Sequence, residues 1–306
     1  MPVAIEVLIP VTLCVLIGFV ARRHFAIGNE VWAGIEKLTY YLFAPSLLIV
    51  SLANKPLNEL AWQGILSTLV LVLLLSSLLL VIIQLLFRPF DGPSFTSVFQ
   101  GGVRFNSFVA LALTDLLFGA EGMVIGALAA VVVVITVNIL CVTVFTVAGA
   151  DSGGWRKLPK QLATNPLILG CVAGLSLNLS GVGISGPTES LLAMLGKVAL
   201  PMALLSVGAA LQPADTRGSL GMIGATSLLQ FLVKPVAAVF AASWFGLEGI
   251  TVTIVVICLA VPTAPSAYIL ARQLGGNANA MSAIITAQTL IAFITLPLTL
   301  SLLLPA

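Results

Sequence analysis

Charge is what this 306-residue chain has least of. Only 8% of its residues are Asp, Glu, Lys or Arg, against roughly 25% in an ordinary soluble domain, and its mean hydropathy is +1.17. That shortage excludes a soluble globular protein. There is no basic tail and no basic patch interleaved with aromatics, so no nucleic-acid partner is expected, and the net charge of +2 adds little. Histidine occurs once, as His24 beside Arg22 and Arg23. This excludes a histidine-rich metal site and suggests a flank facing lipid headgroups. Cys14, Cys141, Cys171 and Cys258 each stand alone in an apolar segment, without the close pairing of a zinc site or redox motif. They read as small buried hydrophobes. A glycine-rich nucleotide-binding motif is also missing, which argues against ATP-driven transport within this chain. No metal and no cofactor are expected.

What the chain has in abundance is apolar runs of about 20 residues, the length that spans a bilayer. Read with their breakers, they give an all-α polytopic membrane protein of ten spans, near 3–21, 33–53, 62–86, 97–117, 122–147, 163–180, 189–211, 218–241, 248–271 and 280–303. The first run carries Glu6, lacks a basic leader and ends in Arg22 and Arg23 without a small-residue cleavage site, so it reads as a mature helix. Arg22, Arg23, Arg88, Arg156, Lys157, Lys160, Arg217 and Arg272 fall on one side of this arrangement, and Lys55 falls on the other. The bias predicts N- and C-termini on the periplasmic face of a bacterial inner membrane, with the loop 148–162 in the cytoplasm.

That loop divides the chain into residues 1–147 and 163–306, with five expected spans in each. An offset of about 156 positions carries Pro10 to Pro166, Gly18 to Gly174, Pro45 to Pro201 and Asn106 to Pro262. Because five is odd, the second set would be inserted upside down, the inverted-repeat plan of many secondary transporters. Spans 4 and 9 are the special pair. One begins SVFQGGVRFNSF at Ser97, and the other passes through AVPTAPSAYILAR from Ala260, where Pro262 and Pro265 each remove a backbone donor. Both are expected to break and to cross. Unwound backbone at membrane depth requires a polar or protein-lined setting, and the N-terminal ends of half-helices attract carboxylates.

Individual residues keep more than one reading. Arg104 would cost at least about 3 kcal/mol if left in hydrocarbon. It can bind a substrate anion, neutralise Asp115 or Glu121, or snorkel to the headgroups. Asn106 is deeper and either caps a broken half-helix or donates to a ligand, with Ser107 beside it. Across the crossing, Pro262, Thr263, Ala264, Pro265 and Ser266 form the second half of the expected substrate site, the two hydroxyls either satisfying freed carbonyls or facing a cavity. Tyr268 reads as a pocket wall or as packing. Gln288, near Thr286 and Thr289, and Asn138 are candidates for support or structural hydrogen bonding. Lys234, mid-span beside Pro235, reads as a proton carrier, a substrate counter-charge or a prop for an unwound carbonyl. Asp115 joins Lys234, Gln288 and Asn138 as a coupling or support candidate. The glycines at 18, 126, 170, 174, 196 and 208 read as close helix packing, with a dimer contact or a sliding surface as further uses.

The segments IEKLTYYLFAPSLLIVSLA from Ile35, GGVRFNSFVALAL from Gly101, NPLILGCVAGL from Asn165, VALPMALLSVGAAL from Val198, VPTAPSAYILARQLGGN from Val261 and TLPLTLSLL from Thr295 resemble the auxin efflux carrier family of bacterial and plant permeases. The resemblance runs over nearly the whole chain. It implies ten helices in an inverted repeat, similar to bile-acid sodium symporters and sodium/proton antiporters. It also implies a scaffold of helices 1, 2, 6 and 7, which often forms a homodimer surface, and a mobile transport unit of helices 3–5 and 8–10. The family's binding asparagine falls on Asn106, and its proline-containing break falls on Pro262 through Ser266. Many relatives carry proline in the first crossover, whereas this chain reads NSFVALALTD from Asn106, so its break must rest on Asn106 and nearby glycines or be milder. The long hydrophilic loop of plant exporters is absent.

The expected function is therefore secondary active transport of a small organic anion, a carboxylate or a dicarboxylate such as malonate, by alternating access in the lipid bilayer. H+ or Na+ coupling, including symport, stays open, as does the direction of transport. A channel or sensor on the same fold and a carrier of auxin-like aromatic carboxylates are the rivals. An intramembrane enzyme is not expected, because no nucleophile, base or metal set converges at depth.

Overall fold

Every regular element in the described residues is helical. The computed structural model describes residues 3–25, 27–55, 57, 60–148, 154–212 and 217–303. Helix α1 (Val3–His24) ends in Arg22, Arg23 and His24, and the two arginines favour the negative end of the helix dipole. Helices α2 (Asn29–Leu38) and α3 (Ala44–Ala53) run on through a π-helical turn, Thr39–Phe43. Pro45 follows that turn and explains it, since a ring without an N–H clashes with the preceding turn and is relieved by widening. Helix α4 (Trp62–Phe87) closes on Arg88 in the left-handed region, φ 46°. Then come α5 (Gly92–Val103), α6 (Ser107–Ala148), which turns at Gly119 (φ 56°), the short amphipathic α7 (Gly154–Ala163), α8 (Pro166–Leu179) and α9 (Gly186–Ala210). After a 3₁₀ turn at Arg217–Ser219, α10 (Leu220–Leu228) and α11 (Lys234–Trp244) are joined by a second π-helical turn, Leu229–Val233, again just before a proline, Pro235. The chain continues through α12 (Gly249–Ala260), α13 (Ser266–Gln273) and α14 (Ala278–Leu303).

The expectation of ten spans in a 5+5 inverted repeat is corrected. Among the described residues seven helices are long and apolar enough to cross a membrane: Glu6–His24, Asn29–Ala53, Trp62–Phe87, Gly92–Ala148, Gly186–Ala210, Leu220–Trp244 and Ala278–Leu303. There are eight if Trp155–Ala163 and Pro166–Leu179, bent by 45°, act as one. Spans 4 and 5 of the sequence reading fall within the single stretch Gly92–Ala148, and span 9 divides into helices of 12 and 8 residues, each too short to cross alone. The paired marks also sit differently: Pro10 lies inside α1, whereas Pro166 opens α8. Of the expected linker 148–162, Ala148 ends α6, residues 149–153 lie outside the described residues, and residues 154–162 belong to α7.

Close helix approach accounts for the glycines. Gly18 on α1 faces the Leu205 carbonyl of α9, where an added Cβ would lie 2.0 Å from oxygen, and Gly208 on α9 faces the Val15 carbonyl at 1.8 Å. Gly170 and Gly174 on α8 meet Pro45, Ile49 and Leu52 of α3, and Gly196 on α9 meets Leu47. These contacts join α1, α3, α8 and α9 into one packed group. Around α12, whose residues Thr253–Ala260 are all buried, α4, α5, α6, α11 and α14 form the main core with Leu69, Leu73, Phe99 and Ile254. Rows of exposed leucine and isoleucine, such as Leu74, Leu75, Leu78 and Ile82 on α4, face outward as a lipid-contacting surface requires.

Candidate functional site

Helix α5 stops at Val103 because Arg104 turns extended (φ −69°, ψ 159°), and α6 begins at Ser107. On the other side α12 stops at Ala260, Val261 turns extended (φ −73°, ψ 152°), and α13 starts at Ser266. The second break follows from Pro262 and Pro265. The first contains no proline. It is held instead by Asn106, whose backbone N–H donates to the Pro262 carbonyl at 2.8 Å. Its side-chain Oδ1 accepts from the N–H groups of Phe108 and Val109 at 3.2 and 3.3 Å. Asn106 is thus the N-cap of α6, the role for which a short amide is suited.

Both C-terminal helix ends at the crossing are also tied down. Gln288 on α14 donates Nε2 to the Gly101 carbonyl of α5 at 2.8 Å and accepts from the Thr263 N–H at 3.0 Å. One carboxamide thereby supports both breaks. Lys234, fully buried at the start of α11, donates to the Val103 carbonyl at 3.4 Å and to Gln230 Oε1 at 2.8 Å. Gln230 in turn donates Nε2 to the carbonyls of Leu259, at 3.4 Å, and Val261. Helix-end carbonyls lack partners within their own helix. Gln288, Lys234 and Gln230 supply them here.

Some polar groups at the crossing are left over. Asn106 Nδ2 and Thr263 Oγ1 are buried without a hydrogen-bond partner. Buried polar atoms are nearly always paired, so each such atom calls for an explanation. A narrow gap of about 20 Å³ reaches Pro262 of the second break without being lined by Asn106 or Thr263; Val109 of α6, Thr289 of α14, and Thr12, Val15 and Val207 from α1 and α9 also line it. It has room for a water and not for an organic anion. A larger cavity of about 150 Å³ between α4, α5 and α10 is lined by residues such as Leu80, Phe95 and Leu229, with Gln84 as its main polar contributor, and its chemistry suits an apolar occupant.

The other expected site residues divide. Arg104 does not reach outward: its guanidinium donates to Asn138 Oδ1 on α6 at 2.9 Å, and Nε is buried without a partner. Asn138 also donates to the Val134 carbonyl of its own helix. Ser107 is buried as the first residue of α6, and Ala264 and Pro265 are half-buried, their carbonyls accepting from the N–H groups of Ala267 and Tyr268. Ser266 is exposed. Asp115 is exposed as well, close in sequence to the Gly119 turn and outside this hydrogen-bonded group. Tyr268 stacks loosely under Arg272, 6.0 Å from its ring centroid. Sequence reasoning missed Gln230 and Gln100. Each lies four residues before a noted cation, Lys234 and Arg104, and that one-turn spacing was the available signal. Both carboxamide atoms of Gln100 are buried and unpartnered.

Residues 155–300 match the family described as "Membrane transport protein", a stretch that includes Gln230, Lys234, Pro262, Thr263 and Gln288. That stretch is just under half of the chain, and over it the chain is similar to membrane transport proteins. The resemblance drawn from its motifs is thereby borne out. A relative from Methanothermobacter thermautotrophicus, described as "Uncharacterized transporter", is 21% identical over 296 residues, which cover 96% of each chain. Multi-pass residence in a lipid bilayer follows from the apolar helices, and the match to transport proteins agrees with a non-enzymatic role.

Proposed function

We propose that this transport protein is a secondary carrier of a small organic anion, a carboxylate or a dicarboxylate such as malonate, recognised at the two helix breaks. The observation that carries the reading is the pair of buried, unpartnered groups, Asn106 Nδ2 and Thr263 Oγ1, contributed by breaks that are bonded to each other through Asn106 and Pro262. A carboxylate accepts from an amide N–H and a hydroxyl alike, and the positive end of the α6 dipole favours it further. Arg104, in the same break, adds a fixed positive charge nearby.

Access would change by movement of two bodies, with α1, α2, α3, α8 and α9 as a scaffold and α4–α6 with α10–α14 as the transport unit. The close glycine packing within the first group and the narrow gap between it and the crossing support this division. In the present arrangement that gap is too small for an organic anion, so opening of the two bodies must precede loading. We assign the carrier to a bacterial inner membrane with periplasmic termini, driven by H+ or Na+, and place any homodimer contact on the scaffold.

Counterflow in proteoliposomes tests the reading, with mono-, di- and aromatic carboxylates and with H+ and Na+ gradients imposed separately. Saturable exchange of a small carboxylate is the expected result. Preference for an aromatic carboxylate would move the substrate to the auxin-like class, and non-saturating, voltage-dependent flux would replace the carrier with a channel.

A further inference from the structure

The most unusual charge in the molecule is Lys234. It is 0% exposed and is the fifteenth residue of the 25-residue apolar helix Leu220–Trp244. A lysine inside a membrane helix is costly and in general marks a function or a specific partner. Its partners are all acceptors: the Val103 carbonyl that ends α5 and the Oε1 of Gln230. Gln230 can offer that oxygen because its Nε2 is committed to the carbonyls of Leu259 and Val261 at the end of α12. The negative ends of two helix dipoles therefore converge on one ammonium, directly at α5 and through a polarised carboxamide at α12. The π-helical turn Leu229–Val233 carries Gln230 and immediately precedes Lys234, and such widened turns often occur at functional positions.

We propose that Lys234 is a tethered monovalent cation occupying a cation site built from the carboxy-terminal ends of the two broken helices. A free cation at that position would make the same attractive interactions with the carbonyls. The native chain carries its own, so sodium is not required there, and a driving ion would have to act elsewhere. The inference is independent of which anion is carried, and its test reads stability instead of transport.

Lys234→Ala removes Cγ, Cδ, Cε and Nζ, a piece equivalent to propylammonium. The purified variant would be melted in detergent at equal ionic strength in choline, sodium or propylammonium chloride, with n-propanol in choline as a neutral filler of the same size. The expected result is a rise in melting temperature of about 3 °C or more with propylammonium or sodium. Propanol should give no such rise, and the wild-type chain should show no difference among the salts. A variant indifferent to both cations, a propanol effect equal to theirs, or the same rise in the wild type would overturn the proposal. So would failure to recover folded Lys234→Ala when either cation is present throughout purification. Lys234→Met, which fills the space without charge, should be insensitive to all of them; a cation response there would point to a site other than this one and also overturn the proposal.

Discussion

The backbone N–H of Asn106 donates to the carbonyl of Pro262 at 2.8 Å, so the two interrupted helices are joined at their breaks by a main-chain bond. This leaves the Asn106 side chain free for two separable tasks. Its oxygen caps α6, and its nitrogen is unpartnered.

Substitution at Asn106 can therefore test the cap and the donor. Asn106→Ala loses the cap, at a cost of about 1 kcal/mol, and loses the donor. Asn106→Asp keeps a good cap but replaces the amide donor with a negative acceptor. Asp keeps the capping oxygen but buries a carboxylate whose second oxygen has no partner, so it should melt below the wild type. Its half-saturation constant for the transported anion should rise about tenfold or more, as expected for loss of a charged hydrogen bond. Unchanged affinity in Asn106→Asp, measured by counterflow, would remove Asn106 from the binding site.

Gln288 makes the complementary prediction, because it touches both breaks and carries no unpartnered atom. Gln288→Met preserves volume but strands the Gly101 carbonyl and the Thr263 N–H, each at a cost of about 1–3 kcal/mol when buried. Amide hydrogen exchange should rise in residues 101–107 and 261–266 together. Exchange that rises in one break alone would show that the two are not coupled through this side chain.

Asp91 gives the pH dependence. It caps α5 from outside the apolar stretch, and hydrogen bonds from Ser94, first its side chain and then its N–H, hold the carboxyl below its ordinary value of 3.8. A lowered pKa means that the stabilisation is fully present above pH 3.8 and is lost as the pH falls through the folded-state value. The group is almost wholly exposed, so the effect is small. Asp91→Asn, which caps without titrating, should flatten the acid limb of the melting-temperature profile below about pH 4. Asp91→Ala should be less stable than Asn across the range.

Some of this could be read in the sequence and some could not, for physical reasons. Low charge and long apolar runs fix a helical membrane protein, and Pro262 and Pro265 announce the second break through their missing N–H groups. The first break was also foreseeable from Arg104 and Asn106, although it needed no proline. The helix count was not legible. An apolar window of about 20 residues cannot tell two spans from the single stretch Gly92–Ala148 that turns at Gly119, nor a full span from the short helices α12 and α13. Gln230 was overlooked because a lone glutamine in an apolar helix gains meaning only once its neighbours are known. Ser266 drew notice by its place after the two prolines and Asp115 by its charge, and their exposure separates them from the buried network.

The glycines provide the last test, because their roles differ sharply at equal composition. At Gly208 an added Cβ would lie 1.8 Å from the Val15 carbonyl and 2.9 Å from the Phe19 backbone nitrogen, atoms that cannot rotate away. Gly208→Ala must push α1 and α9 apart, and overpacking of this kind costs about 1–3 kcal/mol or more. Gly224, inside α10, has nothing within 4 Å of the same atom, so Gly224→Ala should be neutral or stabilise by up to about 1 kcal/mol through helix propensity. Thermal unfolding of the two variants in the same detergent should move in opposite directions, or only downward for Gly208. If Gly208→Ala melted with the wild type, the α1–α9 contact would have to be looser than the backbone spacing requires, and a scaffold that loose could not serve as the fixed body against which the transport unit moves.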